Sequence, residues 1–207
     1  MELGLNGNGV SYEGSYLDAL PTAGLEALYF VRKGNIHSGQ KVLINGAGGS
    51  IGTFTVQLAK HLGAEVTGVD STNKLDMLRS IGADHVLDYT REDFTQNGQT
   101  YDVMIDVLGK APFSGTVRSL SKTGMYLLGN ARLTQILRGQ WISMTTKKKV
   151  IPGSAMQTTQ DLIYLKKLIE SGKIRSVVDR TYPLEEIAEA HRYVGTGQKK
   201  GNIVITL

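Results

Sequence analysis

The eleven residues Val42 to Gly52, Val-Leu-Ile-Asn-Gly-Ala-Gly-Gly-Ser-Ile-Gly, constrain this chain more than any other stretch. Three apolar residues run into four glycines within seven positions, after which Ile51, Phe54, Leu58 and Leu62 recur at helical spacing. The pattern predicts strand, tight turn, helix. A turn so rich in glycine lets backbone approach a pyrophosphate, and the first amides of the following helix face it with the positive end of the helix dipole behind them. Such a site is built from main chain and needs no catalytic side chain there. The alternative is a tight βα turn that holds no ligand.

The glycines can be read in two frames. Starting from Gly46 and Gly48 puts Ile51 in the third position and fails; Ala47, Gly49 and Gly52 give the dinucleotide fingerprint with alanine for its first glycine. The next predicted strand, Glu65 to Val69, ends at Asp70, eighteen positions after Gly52. That is close to the ~20 expected for an acid that bonds the adenosine ribose.

At 207 residues the chain can bury one full core, or one domain with an appendage. With 41% hydrophobic and 20% charged residues it reads as a soluble globular protein. No apolar run nears the ~20 residues of a membrane span, and Met1 to Leu20 lacks the form of a secretory leader. Zero cysteines exclude a disulfide frame and a thiolate zinc site within these residues. The expectation is a cytoplasmic protein without membrane contact. Net charge is +4, but the only dense basic run, Lys147 to Lys149, has no aromatic platform beside it. It reads as a solvated strand edge, so no nucleic-acid partner is expected.

Along the chain, residues 1–15 read as a flexible tail or severed linker, and Tyr16 to Val31 as helical material interrupted near Pro21. Predicted strands are Val42 to Asn45, Glu65 to Val69, His85 to Tyr89, Tyr101 to Val107 and Met125 to Leu128, with helices between most of them. Nearly all-apolar strands separated by helices imply an α/β, doubly wound parallel sheet covered on both faces. Its carboxyl edge carries Gly46 to Ser50, Asp70, Tyr89, Leu108, Gly109, Gly129 and Asn130. Past Asn130 the pattern loosens, then Val150 and Ile151 suggest a short strand. A helix from Thr159 to Ser171 follows, with Thr158 and Asp161 as its capping box and Leu162, Leu165 and Ile169 inward. Two strand-like pieces, Ser176 to Tyr182 and Gly201 to Leu207, flank a helix from Leu184 to Val194; the terminal strand needs a partner. His191 falls on the apolar face of that helix and reads as a packed histidine rather than a catalytic one. Trp141 and Met144 fit a subunit contact, a substrate wall or core packing equally.

These residues resemble the medium-chain dehydrogenase/reductase superfamily, and within it the zinc-independent quinone oxidoreductase-like branch. The similar segments are Leu20-Pro-Thr-Ala-Gly24, the Ala47 turn, Ile81-Gly-Ala-Asp-His-Val-Leu-Asp-Tyr89, Tyr101-Asp-Val-Met-Ile-Asp106, Tyr182-Pro-Leu-Glu-Glu-Ile-Ala-Glu-Ala-His-Arg192 and Gly201-Asn-Ile-Val-Ile-Thr206. The resemblance implies a Rossmann-type NAD(P)-binding domain over residues 16–175. It also implies a segment, 176–207, that normally returns to a chaperonin-10-like β-barrel preceding the cofactor domain. On that reading the chain is the cofactor domain of a larger reductase, and its last strands are remnants of a barrel.

The resemblance further implies hydride transfer between a nicotinamide and a carbonyl, enone or quinone. Ala47, Gly48 and Gly52 would shape the turn, Gly49, Ser50 and Ile51 would hold the pyrophosphate, and Val107, Leu108 and Gly129 would line the ribose path. Asp70 argues for NAD, whereas Ser71, Lys74 and Tyr89 match positions that related reductases use on the phosphate of NADP; Asn73 stands where those relatives often carry a basic residue. The balance leans to NAD, with dual use open. Thr22 stands where zinc alcohol dehydrogenases place a cysteine ligand, so no zinc is expected. A homodimer through Val150 and Ile151 is implied, shortened by Pro152. A non-catalytic nucleotide-binding module is the competing reading, and no catalytic acid or base can be named.

Overall fold

Alternate residues of the apolar strands feed two separate cores, and this fixes the architecture of residues 20–153 and 158–206, the part that the computed structural model describes. In chain order the elements are α1 (Leu25–Lys33), β1 (Lys41–Asn45), α2 (Ser50–His61), β2 (Glu65–Asp70), α3 (Leu75–Ser80), β3 (His85–Asp88), β4 (Tyr101–Asp106), α4 (Phe113–Arg118) and β5 (Leu120–Leu128). There follow α5 (Leu133–Thr145), β6 (Lys149–Pro152), α6 (Thr159–Glu170), β7 (Val178–Pro183), α7 (Ile187–Gly195) and β8 (Asn202–Thr206). The predicted tail, 1–15, lies outside the described residues.

Strands β1 to β6 form one sheet in the order β3-β2-β1-β4-β5-β6, and every neighbouring pair is parallel. This is the doubly wound order, whose direction reverses between β1 and β4. Val42 and Ile44 of β1, Val103 and Ile105 of β4 and Leu127 of β5 pack against Phe30 of α1, Phe54 and Leu58 of α2 and Leu165 of α6. Leu43, Met104, Tyr126 and Leu128 point the other way, against Phe94, Phe113 and Leu120. A side chain of this size contributes about 1.5–3 kcal/mol when fully buried, so the two-sided sheet is the main source of stability.

Most predicted elements are present, with ends moved by a residue or two. β5 departs furthest, starting at Leu120 instead of Met125, with a register break between the pairs Tyr101–Leu120 and Val103–Met125, and α7 starts at Ile187 instead of Leu184. Thr158 caps α6 by accepting from the Asp161 amide at 3.2 Å, but Leu162 is exposed and Leu168 takes the inner position beside Leu165 and Ile169.

α5 was hidden by an inverted face. It packs through Gly139, whose missing Cβ would lie 2.6 Å from Val150, while Leu133, Leu137, Trp141 and Met144 are exposed. The inward residue is the smallest one, so the usual apolar stripe marks the wrong side. His191 is likewise exposed, together with Leu184, Ile187 and Val194. The apolar face on which it was placed exists, but no described element covers it, and the packed-histidine reading is corrected accordingly.

The terminal strand finds its partner in β7. The two pair in parallel from Val178 opposite Asn202 to Pro183 opposite Thr206, with α7 as the crossover. This β7–α7–β8 unit is clipped to α2 by Gln57, a buried side chain whose amide donates to Arg175 O at 2.9 Å and accepts from Arg175 N at 2.8 Å. No described helix is long and apolar enough to cross a membrane.

Candidate functional site

The turn between β1 and α2 directs most of its amides inward. Gly46 and Ala47 donate to Val69 O at 3.0 and 3.2 Å, Gly48 donates to Asp70 Oδ2 at 2.7 Å, and Gly49 donates to Gly46 O at 3.3 Å. The next two amides, of Ser50 and Ile51, open a twelve-residue helix and have no partner within it, because the first helical bond of this turn runs from Thr53 N to Gly49 O. They stand at the positive end of the α2 dipole.

Three of the four glycines answer to the chain's own packing. Gly46 has φ +82°, a conformation open to glycine. A Cβ on Gly48 would come within 2.5 Å of Lys74 Cδ and 2.9 Å of Asp70 Oδ2, and one on Gly52 would meet Gly46 O at 2.2 Å. Gly49 differs. Its backbone is ordinary extended chain, φ −85° and ψ 178°, and the nearest atom a Cβ would meet is Gly46 O at 3.6 Å. No described residue demands glycine there, and the second glycine of the fingerprint is the one that keeps side-chain atoms out of a pyrophosphate's approach.

Asp70, at the end of β2, is buried. Its carboxylate accepts from the amides of Gly48 and Ser71 and pairs with Lys74 Nζ at 3.2 Å. Lys74 is buried too, with a second bond to Gly197 O at 3.0 Å. Lys74 is therefore held in place at both partners. Ser71 Oγ lies 2.8 Å from Asn73 Oδ1, and Tyr89 donates its amide to Asp70 O at 3.2 Å while its ring is largely exposed.

On the β4–β5 side, Asp106 organises the edge. Its carboxyl oxygens accept from Asn45 Nδ2, Gly109 N, Ala111 N and the Tyr126 hydroxyl at 2.9 to 3.1 Å. These bonds hold the loop that carries Val107 and Leu108. Leu108 is half exposed and its Cγ lies 3.1 Å from the point where a Gly46 Cβ would sit. Gly129 backs Val107 so closely that a Cβ there would meet Val107 O at 2.5 Å. In the sequence Asp106 is marked only as an acid at the end of an apolar strand.

The sequence reading also missed the far end of the chain. Gly201 donates its amide to Gly48 O at 2.9 Å and accepts the Ser50 hydroxyl at 2.9 Å, bridging the turn to β8. Lys199 Nζ donates to Ser50 Oγ and to Gly201 O, 2.7 Å each. Partial burial, and after it the neighbouring Lys74, push the Lys199 ammonium below its ordinary pKa. The turn thus meets Asp70 and Lys74 through Gly48, with Ser71 bonded to Asp70; Leu108 and Val107, backed by Gly129, lie against Gly46; and Lys199 and Gly201 close a third side, while Tyr89 joins through its backbone.

Several known proteins resemble this chain. The sequence profile of the zinc-binding dehydrogenase family matches residues 81–205. A 2-methylene-furan-3-one reductase of Solanum lycopersicum is 31% identical over 194 residues, covering 90% of this chain and 45% of the relative. The NADPH-dependent alkenal/one oxidoreductase of Arabidopsis thaliana is 32% identical over 176 residues, covering 81% and 41%. Among solved structures, the quinone oxidoreductase from Coxiella burnetii superposes with a TM-score of 0.82 at 27% identity, over 91% of this chain and 59% of that one. The chain spans about half the length of the relatives it matches.

Proposed function

The chain belongs to the zinc-binding dehydrogenase family of the medium-chain dehydrogenase/reductase superfamily, and from that premise we propose that it binds a nicotinamide dinucleotide for hydride transfer to an enone, carbonyl or quinone. The observation that carries this reading is Gly49: a glycine the fold does not require, beside the Ser50 and Ile51 amides at the start of α2. Those amides receive the diphosphate, Asp70, Ser71 and Tyr89 flank the adenosine ribose, and Val107, Leu108 and Gly129 border the path toward the nicotinamide. The bound nicotinamide supplies the hydride; these residues bind and orient it.

One relative is named a 2-methylene-furan-3-one reductase and another an NADPH-dependent alkenal/one oxidoreductase, and these names support the substrate class. The activity is proposed for a protein of the relatives' length, with the present residues contributing the cofactor site. Because Lys74 offsets the Asp70 charge, both dinucleotides are accepted, with NAD modestly favoured. The reading is of a zinc-independent reductase, because Thr22 stands where a zinc enzyme would need a thiolate ligand. β6, an edge strand of the sheet, is free to pair with its twin in a homodimer, which light scattering tests.

The experiment is a titration of the chain with NADH and NADPH followed by nicotinamide fluorescence, repeated with Asp70→Ala. Binding of both, with the NADH preference lost in the variant, is the expected result; no binding of either overturns the reading.

A further inference from the structure

Lys199 reaches the glycine turn from a point 149 positions away in the sequence. Both of its recorded partners, Ser50 Oγ and Gly201 O, are neutral, and it makes no ion pair among the described residues. Asp179, on the same C-terminal unit, is occupied by the Tyr193 hydroxyl at 2.8 Å and the Lys200 amide at 3.0 Å. Lys74, whose charge acts on Lys199, is matched by Asp70. Lys199 thus has no ion-pair partner among the described residues; Asp179 and Asp70 favour its charge from farther off, each already bonded elsewhere. Its withdrawal from water, the second ammonium beside it and the positive end of α2 all oppose that charge. An arriving anion removes that opposition and gains charge-assisted hydrogen bonds.

We propose that Lys199 is a ligand of the dinucleotide's diphosphate bridge, so that the cofactor site is shared between the six-stranded sheet and the β7–α7–β8 unit. This rests on the dinucleotide reading above. On binding, the ammonium exchanges neutral oxygens for phosphate oxygens while Gly201 stays bonded to Gly48. NADH and NADPH share the diphosphate and differ at the ribose 2′ position, so Lys199 acts on both alike.

The test is fluorescence titration of the Lys199→Gln and Lys199→Arg variants with both dinucleotides, with adenosine as a competitor that lacks the diphosphate. Loss of a charge-assisted bond predicts that Lys199→Gln weakens NADH and NADPH by the same factor, roughly ten- to a hundredfold, that Lys199→Arg restores most of it, and that adenosine competes unchanged. Glutamine keeps a donor for Ser50, so a purely structural tie predicts unchanged affinity, and that result overturns the proposal. A loss confined to NADPH places the lysine at the 2′-phosphate and also overturns it. If the unaltered chain binds neither dinucleotide, the reading of the whole site falls, and this assignment with it.

Discussion

Lys74 Nζ lies 3.2 Å from Asp70 Oδ1, and the two side chains retain only 8% and 7% of their accessible surface. A lone carboxylate at this place would repel a 2′-phosphate; a buried pair presents little net charge. The chain is therefore expected to favour NADH over NADPH by less than tenfold. Lys74→Met leaves Asp70 uncompensated, raising that preference tenfold or more and lowering stability by about 3–5 kcal/mol, the usual result of breaking a buried pair. Paired titrations and urea unfolding measure both; an unchanged preference would mean that Asp70 does not face the ribose.

Gly49 and Gly52 separate ligand requirements from folding requirements. A methyl at Gly49 meets nothing closer than 3.6 Å, so Gly49→Ala is expected to unfold with the same midpoint yet bind dinucleotide at least tenfold more weakly. At Gly52 the methyl would press on Gly46 O at 2.2 Å and Ala47 O at 2.5 Å, both backbone atoms. Overpacking against a backbone that cannot yield outweighs any gain in helix propensity, and Gly52→Ala should lose about 3 kcal/mol. Thermal melts alongside titrations distinguish the two; equal loss of stability would remove the argument from Gly49.

Asp106→Ala strands four donors at once: Asn45 Nδ2, the amides of Gly109 and Ala111, and the Tyr126 hydroxyl. Burial, and then the Asp106 carboxyl, push the Tyr126 phenol well above its ordinary range, so it stays a donor near neutrality. The expected cost is about 3 kcal/mol or more for Asp106→Ala, against about 1 kcal/mol for Tyr126→Phe, which removes one bond. Chemical denaturation measures both. A small effect at Asp106 would show that water replaces the carboxyl.

Asp84 gives the acid limb of stability. Burial acts to raise its carboxyl, but the hydrogen bonds from Lys60 at 2.8 Å and from the Val66 amide at 2.7 Å prevail and hold it below the usual aspartate value. A depressed folded pKa stabilises above the unfolded value of about 3.9 and is lost as pH falls through the folded value. The stability gap between the chain and Asp84→Asn should be constant above about pH 5 and shrink below about pH 4. A gap that stays flat through the acid limb would show that this carboxyl is not shifted.

How much of this was legible follows from range. The strands, the turn and the parallel class of the sheet rest on periodicities within a few residues, and Asp70 lies eighteen positions from Gly52, within one βαβ unit. Lys199 and Gln57 were invisible because their roles depend on partners 149 and 118 positions away. The bond from Lys74 to Gly197 O was equally hidden, because its partner lies 123 positions away and no local pattern brings it near. α5 and His191 failed for another reason: their apolar faces point outward, so the rule that apolar means inward gave the wrong side.

Ser50 and Gly201 are 151 positions apart, and a ribosome adding about 5–20 residues per second spends roughly 8–30 s between them. Throughout that interval the bonds from the glycine turn to Val69 and Asp70 can form, since both lie within one βαβ unit, but its outer side has no β8 to rest against. A growing chain thus displays the helix terminus to solutes in the cell before Lys199 exists to guard it. The site matures in two stages, and a dinucleotide that arrives in the first meets a shallower, less cationic surface than the finished protein offers.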